Sequence, residues 1–208
     1  MPPTICLATL DDAEPIQAIY APYCLTPISF EAEPPSVEEM RGRLAKVLEQ
    51  YPWLVCEDGG DILGYAYASR HRERAAYLWS VDTSIYIRLD QQRRGIGRAL
   101  YTSLLAMLPL QGYVNAYAGA TLPNPASVGL HEAMGFQLVG VYRQVGYKYG
   151  TWHDVAWFQR LLQPRPSEPP VPIPLAEIQH TAEWLEALRN GVQHLGNSLD
   201  KPAAPATG

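Results

Sequence analysis

Between Gln91 and Leu100 the chain reads Gln-Gln-Arg-Arg-Gly-Ile-Gly-Arg-Ala-Leu. Two glycines stand two apart, arginines flank them, and an apolar helical pattern follows. Glycine lets a backbone approach a ligand closely and turn where a side chain would clash. The first turn of a helix offers unpaired N–H groups, and its dipole favours negative charge. That is the chemistry of an anion cradle, with a pyrophosphate as its natural guest. The segment lacks the third glycine of a dinucleotide loop, because Leu100 stands there, and it lacks the Gly-Lys-Ser/Thr of a Walker loop. On its own, Gly95-Ile96-Gly97 also fits a plain turn into a helix.

A second group of chemistry-bearing residues lies in Leu122-Pro123-Asn124-Pro125-Ala126-Ser127-Val128-Gly129-Leu130-His131-Glu132-Ala133-Met134-Gly135-Phe136. Asn124 stands at a helix start, where its amide can cap the helix or reach a ligand carbonyl. His131 lies on that helix, close to the glycine that ends it. It is either a satisfied side chain or a proton-transfer group that works near neutral pH. Cys6, Cys24 and Cys56 are scattered and odd in number. They form neither a disulfide framework nor a metal-ligand spacing, so free thiols and no metal are expected.

The elements that must position these groups follow from periodicity and punctuation. Thr4 to Ala8 reads as a strand, and Asp11 can cap a helix that runs to about Cys24. Ser36-Val37-Glu38-Glu39 is a capping box for a helix to about Gln50. Trp53 to Glu57 and Ile62 to Ser69 form a hairpin across Asp58-Gly59-Gly60. Tyr77 to Arg88 reads as one long strand, Gly97 to Leu108 as a helix ended by Pro109, and Tyr113 to Gly119 as a strand. Pro125 to Met134 is a helix stopped at Gly135. Phe136 to Val145 and Trp152 to Leu162 are the closing strands. The order βααβββαβαββ predicts a mixed sheet with helices on both faces, in the α/β or layered α+β class.

Six prolines between Pro164 and Pro174 predict a stiff linker over 163–174. Apolar residues at helical spacing then predict one amphipathic helix from Leu175 to Leu195, and Lys201 to Gly208 reads as disordered. The chain thus divides into a domain over 1–162, the linker, and an appendage over 175–208. Its 208 residues and 47% hydrophobic content support a real core. There is no apolar run of about 18 residues and no signal-like N-terminus, so a cytoplasmic protein with no membrane contact is expected. A net charge of −5 disfavours nucleic acid. Seven of the sixteen Lys and Arg nevertheless fall between Arg70 and Arg98, which suits a small anionic ligand held locally.

Together, Gln92-Arg93-Arg94-Gly95-Ile96-Gly97 and Asn124 to Phe136 resemble the two signature segments of the GNAT acetyltransferase superfamily. Further segments make the chain similar to its phosphinothricin and methionine sulfoximine N-acetyltransferase family. They are Tyr51-Pro52-Trp53-Leu54-Val55, Gly64-Tyr65-Ala66-Tyr67-Ala68, Tyr77 to Val81, Ala118 to Asn124, and Gly146 to Val155. The resemblance spans about residues 4–162. It implies a GNAT fold, acetyl-CoA as co-substrate, direct transfer to the α-amine of a small amino-acid-like acceptor, a detoxifying role and a homodimer. In that dimer the tail helix is expected to pack on the partner subunit.

The resemblance also implies site residues. Arg93, Arg94, Gly95, Ile96, Gly97, Arg98 and Ala99 would hold the pyrophosphate. Ile85, Tyr86 and Ile87 would pair with the pantetheine arm and supply an oxyanion donor, with Asn124 and Ser127 also on the cofactor. Asp82 stands where the family has a glutamate base and is ~1.5 Å shorter. His131 stands where many superfamily members have a tyrosine acid, so either Asp82 or His131 could be the base. Phe30, Arg72, Arg74 and Tyr77 would meet the acceptor, with a guanidinium fork suited to a carboxylate or phosphinate. Glu31 stands where the family usually has arginine. The rival readings are an acetyltransferase for another small amine or a protein N-terminus, and a CoA-binding sensor without turnover.

Overall fold

The computed structural model describes residues 3–195. The segment Lys201–Gly208, expected to be disordered, lies outside these residues. Seven strands form one sheet in the order β1-β2-β3-β4-β5-β7-β6. The strands are β1 (Thr4–Leu7), β2 (Trp53–Asp58), β3 (Asp61–Arg70), β4 (Ser80–Ile87), β5 (Asn115–Thr121), β6 (Gln137–Lys148) and β7 (Thr151–Leu161). Every pairing is antiparallel except β4 with β5. The helices are α1 (Ala13–Cys24), α2 (Val37–Leu48), α3 (Ile96–Met107), α4 (Pro125–Ala133), α5 (Leu175–Ile178) and α6 (Ala182–Arg189). The expected mixed sheet with helices on both faces is therefore present.

The two faces follow from alternation along buried strands. In β2, Trp53 and Val55 join Ile16, Tyr20 and Leu44 in a core under α1 and α2. Leu54 and Cys56 point the other way, into a core with Leu100, Leu104 and Met107 of α3. The Ser36 hydroxyl accepts the Glu39 N–H, and the Glu39 carboxylate accepts the Ser36 N–H, so the capping box closes as expected.

Three expectations change. The start of the long strand is instead a 3-10 turn over Ala75–Tyr77, and β4 begins only at Ser80. There the Trp79 carbonyl accepts from Val114 and Asn115, which joins the strand start to β5. The Asp11 cap does not form: Asp12 stands at the N-cap position of α1 without a side-chain cap bond, and Thr9 stands at the N-cap of the turn before it. That turn is a 3-10 turn over Leu10–Asp12, and Asp12 Oδ2 accepts the Thr9 N–H at 2.6 Å. The single tail helix is broken into α5, α6 and a 3-10 turn over Val192–His194. The break falls where the Thr181 hydroxyl caps the Trp184 N–H.

The tail packs on its own α3, so the expected packing on a partner is not what this chain does. Trp184 and Leu195 sit in the α3 core. Ser103 Oγ donates to the Leu188 carbonyl at 2.6 Å and accepts from Gly191 N at 3.0 Å. Gly191 lies so close to the Ala99 carbonyl that a Cβ there would overlap it. Before α5, Trp79 Nε1 donates to the Pro170 carbonyl and Ile173 N to the Gln111 carbonyl. Truncating a fully buried tryptophan costs about 3–5 kcal/mol. Trp184→Ala should therefore lower stability by about that amount in urea unfolding, and a loss under about 1 kcal/mol would show that the tail is not part of the core.

Candidate active site

β4 and β5 pair at three positions only, Ser80↔Asn115, Val81↔Ala116 and Asp82↔Tyr117. β5 then continues along β7 to Thr121, and β4 along β3 to Ile87. The two strands part after Asp82, and the β4 edge beyond it faces a gap. That gap holds a cavity of about 160 Å³ lined by Asp82, Ser84, Ile85, Tyr86, Asn124, Ser127 and His131. Four of the expected cofactor positions, Ile85, Tyr86, Asn124 and Ser127, and both expected catalytic residues are thus brought together.

α3 starts beside the C-terminal end of β4. Gly95 adopts a left-handed conformation, φ 77°, and provides no side-chain cap. By contrast α2, α4 and α6 are capped by Ser36, Asn124 and Thr181. The first-turn N–H groups of α3 are therefore left for a ligand, and the dipole there favours an anion. Gly97 has a different reason to be glycine. A Cβ there would meet Leu130 Cδ2 at 3.1 Å and Ile85 Cδ1 at 3.6 Å, so its absence lets α3 approach α4 and β4. Arg93 has a positive φ, 62°, in the turn before the helix. Arg94 donates to the Gln91 side-chain oxygen. Arg98 is exposed and lines a different cavity of about 890 Å³, with Thr102, Arg160 and His194.

α4 starts with Pro125 behind the Asn124 cap, whose Oδ1 accepts the Ser127 N–H at 3.1 Å. One turn on, His131 is buried and stacks on Phe158 at 5.5 Å. Its Nδ1 lies 2.7 Å from the Ser127 carbonyl, which can only accept, so Nδ1 carries the hydrogen. Nε2 lies 3.1 Å from the Tyr101 hydroxyl and in a neutral ring accepts from it. Burial lowers the His131 pKa against a smaller opposing effect of the Ser127 bond, and burial raises that of Tyr101. Both groups are therefore held neutral. Thr83 Oγ1 lies 3.4 Å from the Tyr101 hydroxyl and donates to the Tyr117 carbonyl.

Asp82 Oδ1 lies 2.6 Å from His71 Nδ1. Burial holds the carboxyl pKa above its ordinary value, against the smaller opposing pull of the His71 hydrogen bond and of the charges of His71 and Arg72. Arg72 stacks its guanidinium over Trp157, 5.6 Å from the ring centre, and Trp157 lines the cavity. Arg72, Arg74 and Tyr77 all line a separate small cleft with Tyr51 and Arg70, and of the three Arg72 also reaches the cavity wall, through Trp157. Phe30 borders a wider opening of about 530 Å³ with Ile28, Glu31, Tyr86 and Thr121, next to the cavity. Its ring fills the space above Gly146, where any Cβ would collide with it. Glu31 is ion-paired with Arg43 at 2.6 Å, so its charge has a partner within the chain.

Two residues at the site were not visible as such in the sequence. Tyr101 occupies a core-spaced position of an apolar helix and gives no other signal. His71 lies in an arginine-rich turn. Only the cross-strand register, with Ser69 opposite Asp82, puts it beside the carboxylate.

The chain matches the model of the acetyltransferase (GNAT) domain over residues 5–157. It is 41% identical over 147 residues to a phosphinothricin N-acetyltransferase of Streptomyces viridochromogenes, covering 70% of this chain and 80% of that one. It is 38% identical over 120 residues to an L-methionine sulfoximine/L-methionine sulfone acetyltransferase of Pseudomonas aeruginosa, covering 57% and 70%. Its fold is similar to the crystal structure of a phosphinothricin acetyltransferase from Sinorhizobium meliloti in complex with acetyl-CoA. There the TM-score is 0.76 and the identity 35%, over 81% of this chain and 95% of that one.

The folded-state pKa of His131 lies below its ordinary value of 6.5, so in that range the unfolded chain binds the proton more tightly. The resulting contribution is intact above 6.5 and is lost as pH falls through 6.5 toward the folded value. Urea unfolding of the wild type should weaken between pH 7.5 and pH 5.5, and His131→Phe should flatten that slope. Equal slopes in the two proteins would show that His131 is not held neutral.

Proposed function

The chain belongs to the GNAT acetyltransferase family and is an acetyl-CoA-dependent N-acetyltransferase; from that premise we propose that its acceptor is the α-amine of a small glutamate-like amino acid. Methionine sulfoximine, methionine sulfone and phosphinothricin are the leading acceptors, each with a tetrahedral head group. One observation carries this reading: Asp82 and His131 share a cavity in the gap between β4 and β5, beside an uncapped helix start.

Acetyl-CoA supplies the acetyl group as a thioester, and the residues present fit it. First-turn N–H groups from Ile96 to Ala99, after the Arg93-Arg94-Gly95 turn, bind the pyrophosphate. The open edge of β4 at Ile85, Tyr86 and Ile87 holds the pantetheine arm as an added strand, with Asn124 and Ser127 opposite. A backbone N–H of that edge stabilises the oxyanion. Asp82 takes the first proton of the acceptor ammonium. His131 is the weaker candidate for that step, because the Tyr101 hydroxyl sits on its Nε2 lone pair. Instead His131 holds Tyr101, whose hydroxyl hydrogen turns from Nε2 to the leaving thiolate and is replaced by the second proton of the acceptor nitrogen. Phe30 covers the acceptor, and Arg72 pairs with its anionic head group. Arg74 and Tyr77 shape the turn that carries Arg72.

A thiol-release assay over a panel of amines tests this. Turnover should be best with the three acceptors named. Arg72→Ala should raise the acceptor KM about tenfold or more through loss of a charge-assisted contact, with the acetyl-CoA KM unchanged. Turnover confined to peptide N-termini or unrelated amines would overturn the acceptor class.

The protein is proposed to act in the cytoplasm as a homodimer in a detoxifying role. Supporting the compartment, Cys6, Cys24 and Cys56 are all free thiols, and no helix among the described residues is long and apolar enough to cross a membrane. Supporting the dimer, β6 is a long edge strand paired on one side only, with Leu138, Val139, Tyr142, Val145 and Tyr147 exposed along it. An exposed apolar edge of that length is a surface that folded proteins cover. Sedimentation velocity should show a dimer, and Leu138→Lys with Tyr142→Lys should give a folded monomer. An unchanged mass for that variant would place the interface elsewhere.

A further inference from the structure

His71 follows directly after β3 and is nearly enclosed. Its side chain is 11% exposed and that of Asp82 25% exposed. The imidazole lies flat on Tyr117 of β5, with ring centres 4.4 Å apart and planes 15° apart. Tyr77 and Trp157 meet it edge-on at 5.8 and 6.4 Å. These contacts fix the ring, and the fixed ring puts Nδ1 2.6 Å from Asp82 Oδ1. That is a short, charge-assisted bond. Because an ionised carboxylate only accepts, Nδ1 donates. Among the described residues no hydrogen bond reaches Nε2.

The turn does not need this bond to hold its shape. Arg70 and Glu73 are ion-paired, and the Tyr77 and Leu78 N–H groups donate to the Arg74 and Ala75 carbonyls. The carboxylate does need a partner. The short Asp82 side chain borders the reaction cavity, and one of its oxygens would otherwise compete with the other for the acceptor. We infer that His71 is a positioning residue for acetyl transfer: it clamps Oδ1 of Asp82 and leaves Oδ2 to take the proton of the acceptor ammonium. That N–H bond breaks, the proton passes to Oδ2, and the freed nitrogen lone pair attacks the thioester carbon. The proton then leaves Oδ2 for solvent. The second ammonium proton restores the one that Tyr101 gives to the leaving thiolate, so the overall reaction releases one proton. Other titratable groups facing the pair are Arg72 from the same turn, Tyr77 from the 3-10 turn, Tyr117 from β5 and Tyr67 from β3. Arg72 is the cation among them.

The kinetic test rests on the acetyl-transfer reading above and uses an acceptor that the wild type turns over. His71→Phe keeps the ring stack on Tyr117 and removes the donor. It should lower kcat at pH 7 about tenfold or more, the lower end of what a misplaced base loses, with the acetyl-CoA KM unchanged. His71→Asn, whose amide nitrogen can stand near the Nδ1 position, should retain most of the rate. The acid limb of kcat/KM should move to higher pH in H71F, because the carboxylate loses its donor. In a D82N background H71F should have no further effect. An equal loss in both backgrounds, or an acid limb that stays in place, would overturn the inference.

A second readout needs no turnover. The Asp82 side-chain carboxyl, followed by carbon NMR in the full-length protein, should titrate at higher pH in H71F than in the wild type. An unmoved midpoint would overturn the role of His71 even if no acceptor were found. Failure of the amine panel would count against the acceptor class and leave this result standing.

Discussion

β4 and β5 run parallel for three paired positions and then separate, and most of the site depends on that separation. A sheet edge in the middle of a fold leaves N–H and C=O groups that need a partner. Here β5 does not supply that partner beyond Asp82, because it is held along β7 for its whole length. The same gap brings two helix starts to one place. α3 follows β4 and α4 follows β5, so their N-termini lie at the ends of the parting strands. One start is a bare left-handed glycine, and the other is sealed by Asn124. In the proposed function, the geometry thereby separates an anion-holding end from a proton-handling end within one cleft.

The proton-handling end follows from desolvation. Buried histidine and tyrosine pay heavily for charge, so both are held neutral and joined by a hydrogen bond whose direction is set by the Ser127 carbonyl. A backbone acceptor on Nδ1 leaves only a lone pair at Nε2. The position that could have been a base is therefore occupied as an acceptor. Asp82 is left as the group able to take a proton, and its environment opposes itself: burial favours the neutral acid, while His71 and Arg72 favour the anion. A base must be ionised to act and must not be so stabilised that it no longer attracts a proton. Opposed influences of this kind are how a carboxylate meets both requirements.

Local signals were readable in the sequence, and contacts between distant segments were not. Ser36 with Glu39, Gly95 before α3 and Asn124 before α4 are local chemistry, and each acts as its sequence neighbourhood says. The proposed donor side is legible in the sequence for that reason. The stretch Tyr77 to Trp79 reads as strand because Tyr77, Leu78 and Trp79 are β-formers or apolar. The bonds from Val114 and Asn115 to Trp79 that fix the true strand start come from another element. The tail was read as one helix because its apolar period is continuous. The break appears only where Thr181 caps a new helix so that the chain can follow α3. His71 carried no signal at all, since its partner is eleven residues away across a hairpin.

The acceptor side is built differently, which is why its chemistry was the harder to read. The loop after α1 carries Phe30 and is fixed from outside itself. Lys148 Nζ lies within hydrogen-bond distance of the Cys24, Thr26, Ser29 and Glu31 carbonyls, at 2.6 to 3.1 Å. Gly146, on the same strand, leaves the space that the Phe30 ring fills. The β6–β7 hairpin therefore positions Phe30 at the wider opening beside the cavity while its outer edge exposes an apolar row. A change on that outer edge is transmitted to Phe30 through a strand, whereas the anion cradle is set by α3 and the tail packed behind it. In the proposed function, donor recognition is thus insulated in a core of α3, α4 and β4, and acceptor recognition is tied to the edge of the sheet. A sequence motif can identify the first because the contacts are local. The second depends on where a hairpin, a loop and a lysine meet.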